Sequence, residues 1–134
     1  MTGKYPARTK SPGPGSQLKS SEYTIAEALK DNGYSTFIAG KWHLSRGKSG
    51  SSPEEQGFDQ NYGGGDSGVP KSYFYPYNIQ TRGRGNENAP DITKLPEVEK
   101  GYHLTDQLTD LTLDWIDKNY VCLLYTSPSP RDCQ

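Results

Sequence analysis

The sequence predicts an α/β fold with an incomplete sheet. A capped amphipathic helix from Thr24 to Asn32 passes through a glycine turn straight into a β-branched, aromatic strand, Tyr34 to Ala39. A second helix, Thr105 to Asn119, carries apolar residues at helical spacing. Helices alternating with strands define half of an α/β layer. Few strand signals remain, and two paired strands do not make a stable sheet on their own.

Composition narrows the classes. The 134 residues fall within the range of one domain. Only 31% are apolar, and there are 15 Gly and 10 Pro, so the core is small and autonomous folding is expected to be poor. The formal net charge of -1 provides no basic footprint for nucleic acid and no polybasic patch for a membrane surface. No apolar run is long enough to span a bilayer. Met1 to Pro6 has no apolar segment of the signal-peptide kind. Cys122 and Cys133 form neither a CxxC nor a Cys/His metal pattern and read as incidental thiols.

In chain order, Met1 to Ser20 is polar, broken by prolines and glycines, and reads as an arm. Thr24 and Glu27 have capping-box spacing. Ile25, Ala28 and Leu29 fall at i, i+3, i+4 and predict an apolar stripe. Asn32-Gly33 is a helix stop, with Gly33 suited to the left-handed cap. The strand that follows ends in Gly40-Lys41-Trp42-His43-Leu44. Side chains alternate along a strand, so Lys41 and His43 should project to one side and Trp42 to the other. A cation and an imidazole would then stand at the carboxyl end of a strand, where open α/β sheets bind anionic ligands.

Leu44 to Ser52 reads as a mobile loop. Pro53 to Asp59 reads as one helical turn with Pro53 at its first position, ended by Gly57 and anchored by Phe58. Gly63 to Gly68 lacks the Lys-[Ser/Thr] of a P-loop and reads as a flexible turn. Ser72 to Tyr77 is an aromatic run suited to a short strand, its tyrosines read as packing residues. Asn78 to Lys100, with Arg82 and Arg84, reads as solvated loop. In the second helix, Leu104, Leu108, Leu111 and Trp115 form the apolar face, with Ile116 beside them. His103 just before it reads as structural. Val121 to Tyr125 predicts a buried strand.

Several segments, in order, resemble the type I sulfatases of the alkaline-phosphatase superfamily. They are Thr2-Gly3-Lys4-Tyr5-Pro6-Ala7-Arg8, Thr24 to Lys30, Gly33-Tyr34-Ser35-Thr36, Gly40-Lys41-Trp42-His43, Pro53 to Asp59, Ser72 to Tyr77, and Leu104 to Asp110. Each alone is weak; their co-linear order over Met1 to about Tyr120 is specific. The resemblance implies residues 1–120 as a fragment of the N-terminal catalytic domain, with part of that family's three-layer sandwich. It implies hydrolysis of sulfate esters, of sulfated carbohydrates or aryl sulfates, by a secreted or periplasmic parent enzyme. Residues 121–134 resemble the adapter-derived endings of translated environmental reads and read as a non-native tail.

In that family a formylglycine, made from the Cys or Ser of a C/S-x-P-x-R motif, attacks sulfur, and calcium holds the sulfate. The resemblance places Lys41 against the sulfate oxygens and His43 on the formylglycine hydroxyl, as catalytic and substrate-binding residues. A fixed ammonium suits charge developing on sulfuryl oxygens, and an imidazole suits transfer of the hydroxyl proton. Without the resemblance, a strand-end lysine reads as solvated and a single histidine as structural.

The departures are equally specific. The sequence contains no C/S-x-P-x-R motif; Ser127-Pro128-Ser129-Pro130-Arg131 has its prolines out of place. The family's Asp and Asn calcium ligands have no counterparts, and Ser45 replaces the usual glycine after Leu44. Neither the calcium nor the formylglycine site is therefore expected in this chain, the nucleophile motif is expected upstream of Thr2, and Met1 reads as an internal methionine. The fragment alone is expected to be inactive. Two alternatives stand beside it: a phosphoester hydrolase of the same superfamily, and a non-catalytic anion- or glycan-binding module.

Overall fold

The computed structural model describes residues 1–9, 17–45, 52–65, 69–77 and 95–124. In chain order it contains helix α1 (Ile25–Asp31), strand β1 (Phe37–Ala39), a 3-10 turn (Glu54–Gln56), strand β2 (Gln60–Tyr62) and helix α2 (Leu104–Leu124). The expectations for residues 46–51, for the end of the glycine loop at 66–68, for Arg82 and Arg84 and for Arg131 lie outside the described residues.

Helix α1 is closed at both ends by its own sequence. The Thr24 side chain accepts the Glu27 amide at 3.2 Å, and the Glu27 carboxylate accepts the Thr24 amide at 2.7 Å, the reciprocal capping box. The Thr24 hydroxyl donates in turn to the Gln56 carbonyl at 2.7 Å. The Ile25 amide, an orphan of the first turn, is taken by the Met1 carbonyl. At the other end Gly33 has φ +81. Gly33 and Tyr34 donate to the carbonyls of Lys30 and Leu29, the paired bonds of a Schellman stop.

The stripe predicted on this helix is not its buried face. Ala26 and Thr24 are buried, whereas Ile25 is 59% exposed and Leu29 is also exposed. Helical periodicity marks an apolar face, but tertiary contacts decide whether that face is covered.

Strands β1 and β2 pair in parallel, with Phe37, Ile38 and Ala39 opposite Gln60, Asn61 and Tyr62. Strand β1 starts at Phe37, later than the sequence placed it, because Thr36 is engaged elsewhere. Its amide donates to the Asp59 carboxylate at 3.0 Å and its hydroxyl to the Gly57 carbonyl at 2.6 Å. Its carbonyl accepts the amides of Asp59 and Gln60. Strand β2 carries no β-branched residue and gave no strand signal; pairing against β1 makes it one.

The turn between the strands has Pro53 at its cap rather than inside its first position, and Gly57 closes it with φ +93. A Cβ on Gly57 would lie 2.5 Å from the Glu27 amide nitrogen, so glycine is required for the turn to touch α1. Phe58 is half-buried and meets the buried Trp42 edge-on at 6.0 Å.

Helix α2 lies on the Phe37 face of the sheet, with Trp115 stacked on Phe37 at 4.1 Å. A Cβ on Gly40 would lie 4.0 Å from the Leu108 side chain. Later helix residues therefore meet the start of β1 and earlier ones its end, so α2 runs antiparallel to β1. The aromatic run 72–77 is not a strand. It contributes a single antiparallel bridge, Phe74 to His103, and buried Tyr77 donates to Gln107 Oε1 at 2.6 Å. The strand predicted at Val121 to Tyr125 is also corrected: α2 continues through Leu124. No glycine or proline interrupts the helix before Pro128, so the backbone ladder continues through a stretch whose composition suits either state.

Thr24 joins the cap of α1 to the turn at Gln56. Thr24→Ala should therefore cost about 1–3 kcal/mol, read as a lower urea midpoint by circular dichroism, while Thr24→Ser should keep most of the stability. Asp59 provides a pH test. Partial burial pushes its carboxyl up, but hydrogen bonds from Lys30 and Thr36 and the Lys30 charge, 2.7 Å away, outweigh that and hold it below the ordinary range. The folded state then binds fewer protons than the unfolded one. This contribution is present above the unfolded carboxylate value, about 4, and is lost as pH falls through the folded one. Acid titration should show that loss, and Asp59→Asn should reduce it.

Candidate active site

The end of β1 turns sharply. Gly40 has φ +100, and its amide donates to the Tyr62 carbonyl at 2.8 Å. The chain then passes Lys41, which is exposed, Trp42, which is 5% exposed, and His43, which is half-buried. Lys41 is exposed and Trp42 buried, but the strand alternation expected to set Lys41 and His43 together on one face is absent. The strand stops at Ala39, and a glycine turn presents the side chains. Trp42 enters the core against Phe58 and fixes the loop between Lys41 and His43.

His43 is the only described non-glycine residue with a left-handed backbone, φ +58. That region is sparsely populated by side chains with a Cβ. Such conformations cost about 1–3 kcal/mol and persist where the surroundings impose them. Here the His43 amide donates to the Gly65 carbonyl at 3.0 Å, and the Leu44 carbonyl accepts the amide of buried Leu18 at 2.9 Å. The loop expected to be mobile from Leu44 onward is thus held at its start, where Ser45 is buried.

The sequence reading missed what holds Gly65 in place. Asn61, buried in β2, accepts the Gly64 amide at 2.8 Å and donates to the Gly64 carbonyl at 2.9 Å. A Cβ on Gly64 would come within 2.6 Å of Asn61 Oδ1. Residues 63–65 are therefore a clamped turn, not a flexible one. The signal was available as an Asn three residues before a glycine inside a glycine run; the run's lack of a P-loop pattern masked it. Because β1 and β2 are parallel, both turns leave the same, carboxyl end of the sheet.

Among the described residues no three His, Cys, Asp or Glu side chains gather as a metal ion would require. The described residues do not fit a calcium cage, which needs six to eight oxygen ligands. Among the described residues no helix is long and apolar enough to cross a membrane.

The left-handed histidine and the exposed lysine thus lie on a fixed turn at the carboxyl end of parallel strands, the end at which open α/β sheets bind their ligands. The chain belongs to the sulfatase family, whose profile matches residues 1–122. It is 30% identical to an arylsulfatase of Hemicentrotus pulcherrimus over 90% of this chain and 24% of that protein. An arylsulfatase of Klebsiella aerogenes is 47% identical over 33% of this chain and 10% of its own length. An N-acetylgalactosamine-6-sulfatase of Mus musculus is 30% identical over 77% of this chain and 20% of its own length. The chain thus spans at most about a quarter of the length of these three relatives.

If the surroundings impose the left-handed backbone on His43, glycine should relieve it. His43→Gly is expected to raise the urea midpoint, by up to about 1 kcal/mol of stability, whereas Gly40→Ala should lower it. A His43→Gly variant less stable than wild type would show that the imidazole contributes packing that outweighs the strain.

Proposed function

We propose that this chain is part of a sulfuric ester hydrolase in which Lys41 and His43 act on the sulfuryl group of a sulfated carbohydrate or aryl sulfate. The observation that supports this most is the strained, clamped His43 two residues from an exposed lysine, at the carboxyl end of the sheet in a sulfatase-family chain.

The roles follow from charge and proton chemistry. Sulfuryl transfer spreads negative charge over oxygens, and the Lys41 ammonium stabilises it most in the transition state. His43 takes up the proton of the nucleophile's remaining hydroxyl as sulfate leaves. Formylglycine supplies that hydroxyl in the enzymes this chain resembles, and the sequence contains no motif from which to make it. The 134 residues by themselves hold a binding and proton-transfer corner of the site and lack its nucleophile. The names of the relatives support an ester of sulfate over one of phosphate. On this reading residues 1–120 are native catalytic domain and 121–134 a foreign tail, and the parent enzyme is secreted or periplasmic.

The purified chain should not hydrolyse a chromogenic aryl sulfate, with or without calcium. Turnover that Lys41→Ala abolishes would overturn the claim of inactivity. The roles are checked in an arylsulfatase carrying residues 33–45 of this chain in place of its own. That chimera should turn over, and Lys41→Ala within it should lower kcat/KM by about 100-fold or more. An unchanged rate would refute the role given to Lys41.

A further inference from the structure

Asn61 lies in the middle of β2, opposite Ile38, and is 4% exposed. Asparagine is poorly suited to strands, and a buried amide is costly unless its polar atoms are bonded. Here Oδ1 accepts the Gly64 amide at 2.8 Å, and Nδ2 donates to the Gly64 carbonyl at 2.9 Å and to Glu54 Oε2 at 3.4 Å. One N–H and two oxygens face this amide, and only an amide in this orientation satisfies all three. Packing against Ile38 would be served as well by an apolar residue. The amide is accounted for by the turn it holds.

That hold reaches His43 through one further residue. Asn61 fixes both polar groups of Gly64, and the carbonyl of the next residue, Gly65, accepts the His43 amide at 3.0 Å. At the other end of the loop, Gly40 donates to the Tyr62 carbonyl at 2.8 Å. Adjacent residues of β2 therefore pin both ends of the segment that carries Lys41 and His43. Between those pins His43 has φ +58, which sets the direction in which its imidazole leaves the backbone.

We propose that Asn61 is a positioning residue for His43: it holds the turn at Gly64 and Gly65 so that the Gly65 carbonyl keeps His43 left-handed beside Lys41, and it touches no substrate itself. The inference rests on the reading of His43 as the proton-accepting group. A proton acceptor works only within hydrogen-bond reach of its hydroxyl, and a displacement of about 1 Å can cost about 100-fold in rate.

NMR on the full chain tests this. In wild type, His43 should show the strong intraresidue amide-to-α-proton NOE of a left-handed residue. Asn61→Ala should weaken that NOE and speed exchange of the His43 amide by about tenfold, while the Gly40 amide and those of α2 exchange as before. Asn61→Asp keeps the shape but turns an oxygen toward the Gly64 carbonyl and Glu54, and should act in the same way. Gly64→Ala, whose Cβ would lie 2.6 Å from Asn61 Oδ1, should disturb His43 when Asn61 is present and add little to Asn61→Ala. Inorganic sulfate should shift the Lys41 signals in wild type and in Asn61→Ala alike, and the His43 ring in wild type alone. The proposal is overturned by a wild type without the NOE, by Asn61 variants in which His43 is unchanged, or by a His43 ring that answers sulfate equally in both. Exchange accelerated uniformly through sheet and helix would show a purely structural asparagine and overturn it too. Sulfate that shifts neither Lys41 nor His43 in wild type would instead count against the sulfate-ester reading, and the NOE and exchange would still decide the role of Asn61.

Discussion

Each backbone and side-chain polar group of Thr36 is bonded, and those bonds tie the start of β1 to the turn at Gly57 and to the start of β2. Its amide reaches the Asp59 carboxylate, its hydroxyl the Gly57 carbonyl, and its carbonyl the amides that open β2. Asp59 extends the connection to Lys30 on α1. Thr36 is buried, so each of these groups would cost about 1–3 kcal/mol if left unpaired. The register of β1 on β2 starts here, and a one-residue slip would exchange the faces of every side chain. The parallel pair, and hence the common exit of the loops at Gly40 and Gly63, depends on this buried threonine.

Local chemistry was legible in the sequence where local chemistry decides. The Thr24–Glu27 box, the Gly33 stop and the Gly57 cap involve neighbours a few residues apart, and each forms as its residues dictate. Strand β2 was not legible, because Gln60, Asn61 and Tyr62 become a strand only by pairing with Phe37 to Ala39. Helix α2 was found by its spacing but ended too early, since Val121 to Leu124 are compatible with either helix or strand. The exposure of Ile25 and Leu29 could not be read from periodicity, which says nothing about what covers a face.

At the loop after β1, the sequence of the turn was readable and its support was not. Lys41 and His43 stand out through an ordered set of short segments that the family match covers. The left-handed backbone of His43 and the Asn61 clamp on Gly64 are properties of two loops meeting, separated by about twenty residues of chain. A preorganised corner of this kind costs stability locally, and the cost is carried by rigid neighbours such as Trp42 against Phe58.

The two tryptophans sit where they can be used optically. Trp42 is buried between Lys41 and His43 and edge-on to Phe58, while Trp115 lies flat on Phe37 at the seam between α2 and β1. Indole emission responds to nearby charge and to solvent, so on the proposed function an anion arriving at Lys41 would alter one fluorophore and leave the other as an internal reference. With either indole replaced by phenylalanine, the remaining one becomes a single-site reporter, of occupancy at Trp42 or of docking of the helix at Trp115. The two single-tryptophan variants would thus give separate optical signals for the turn after β1 and for the helix docked on it.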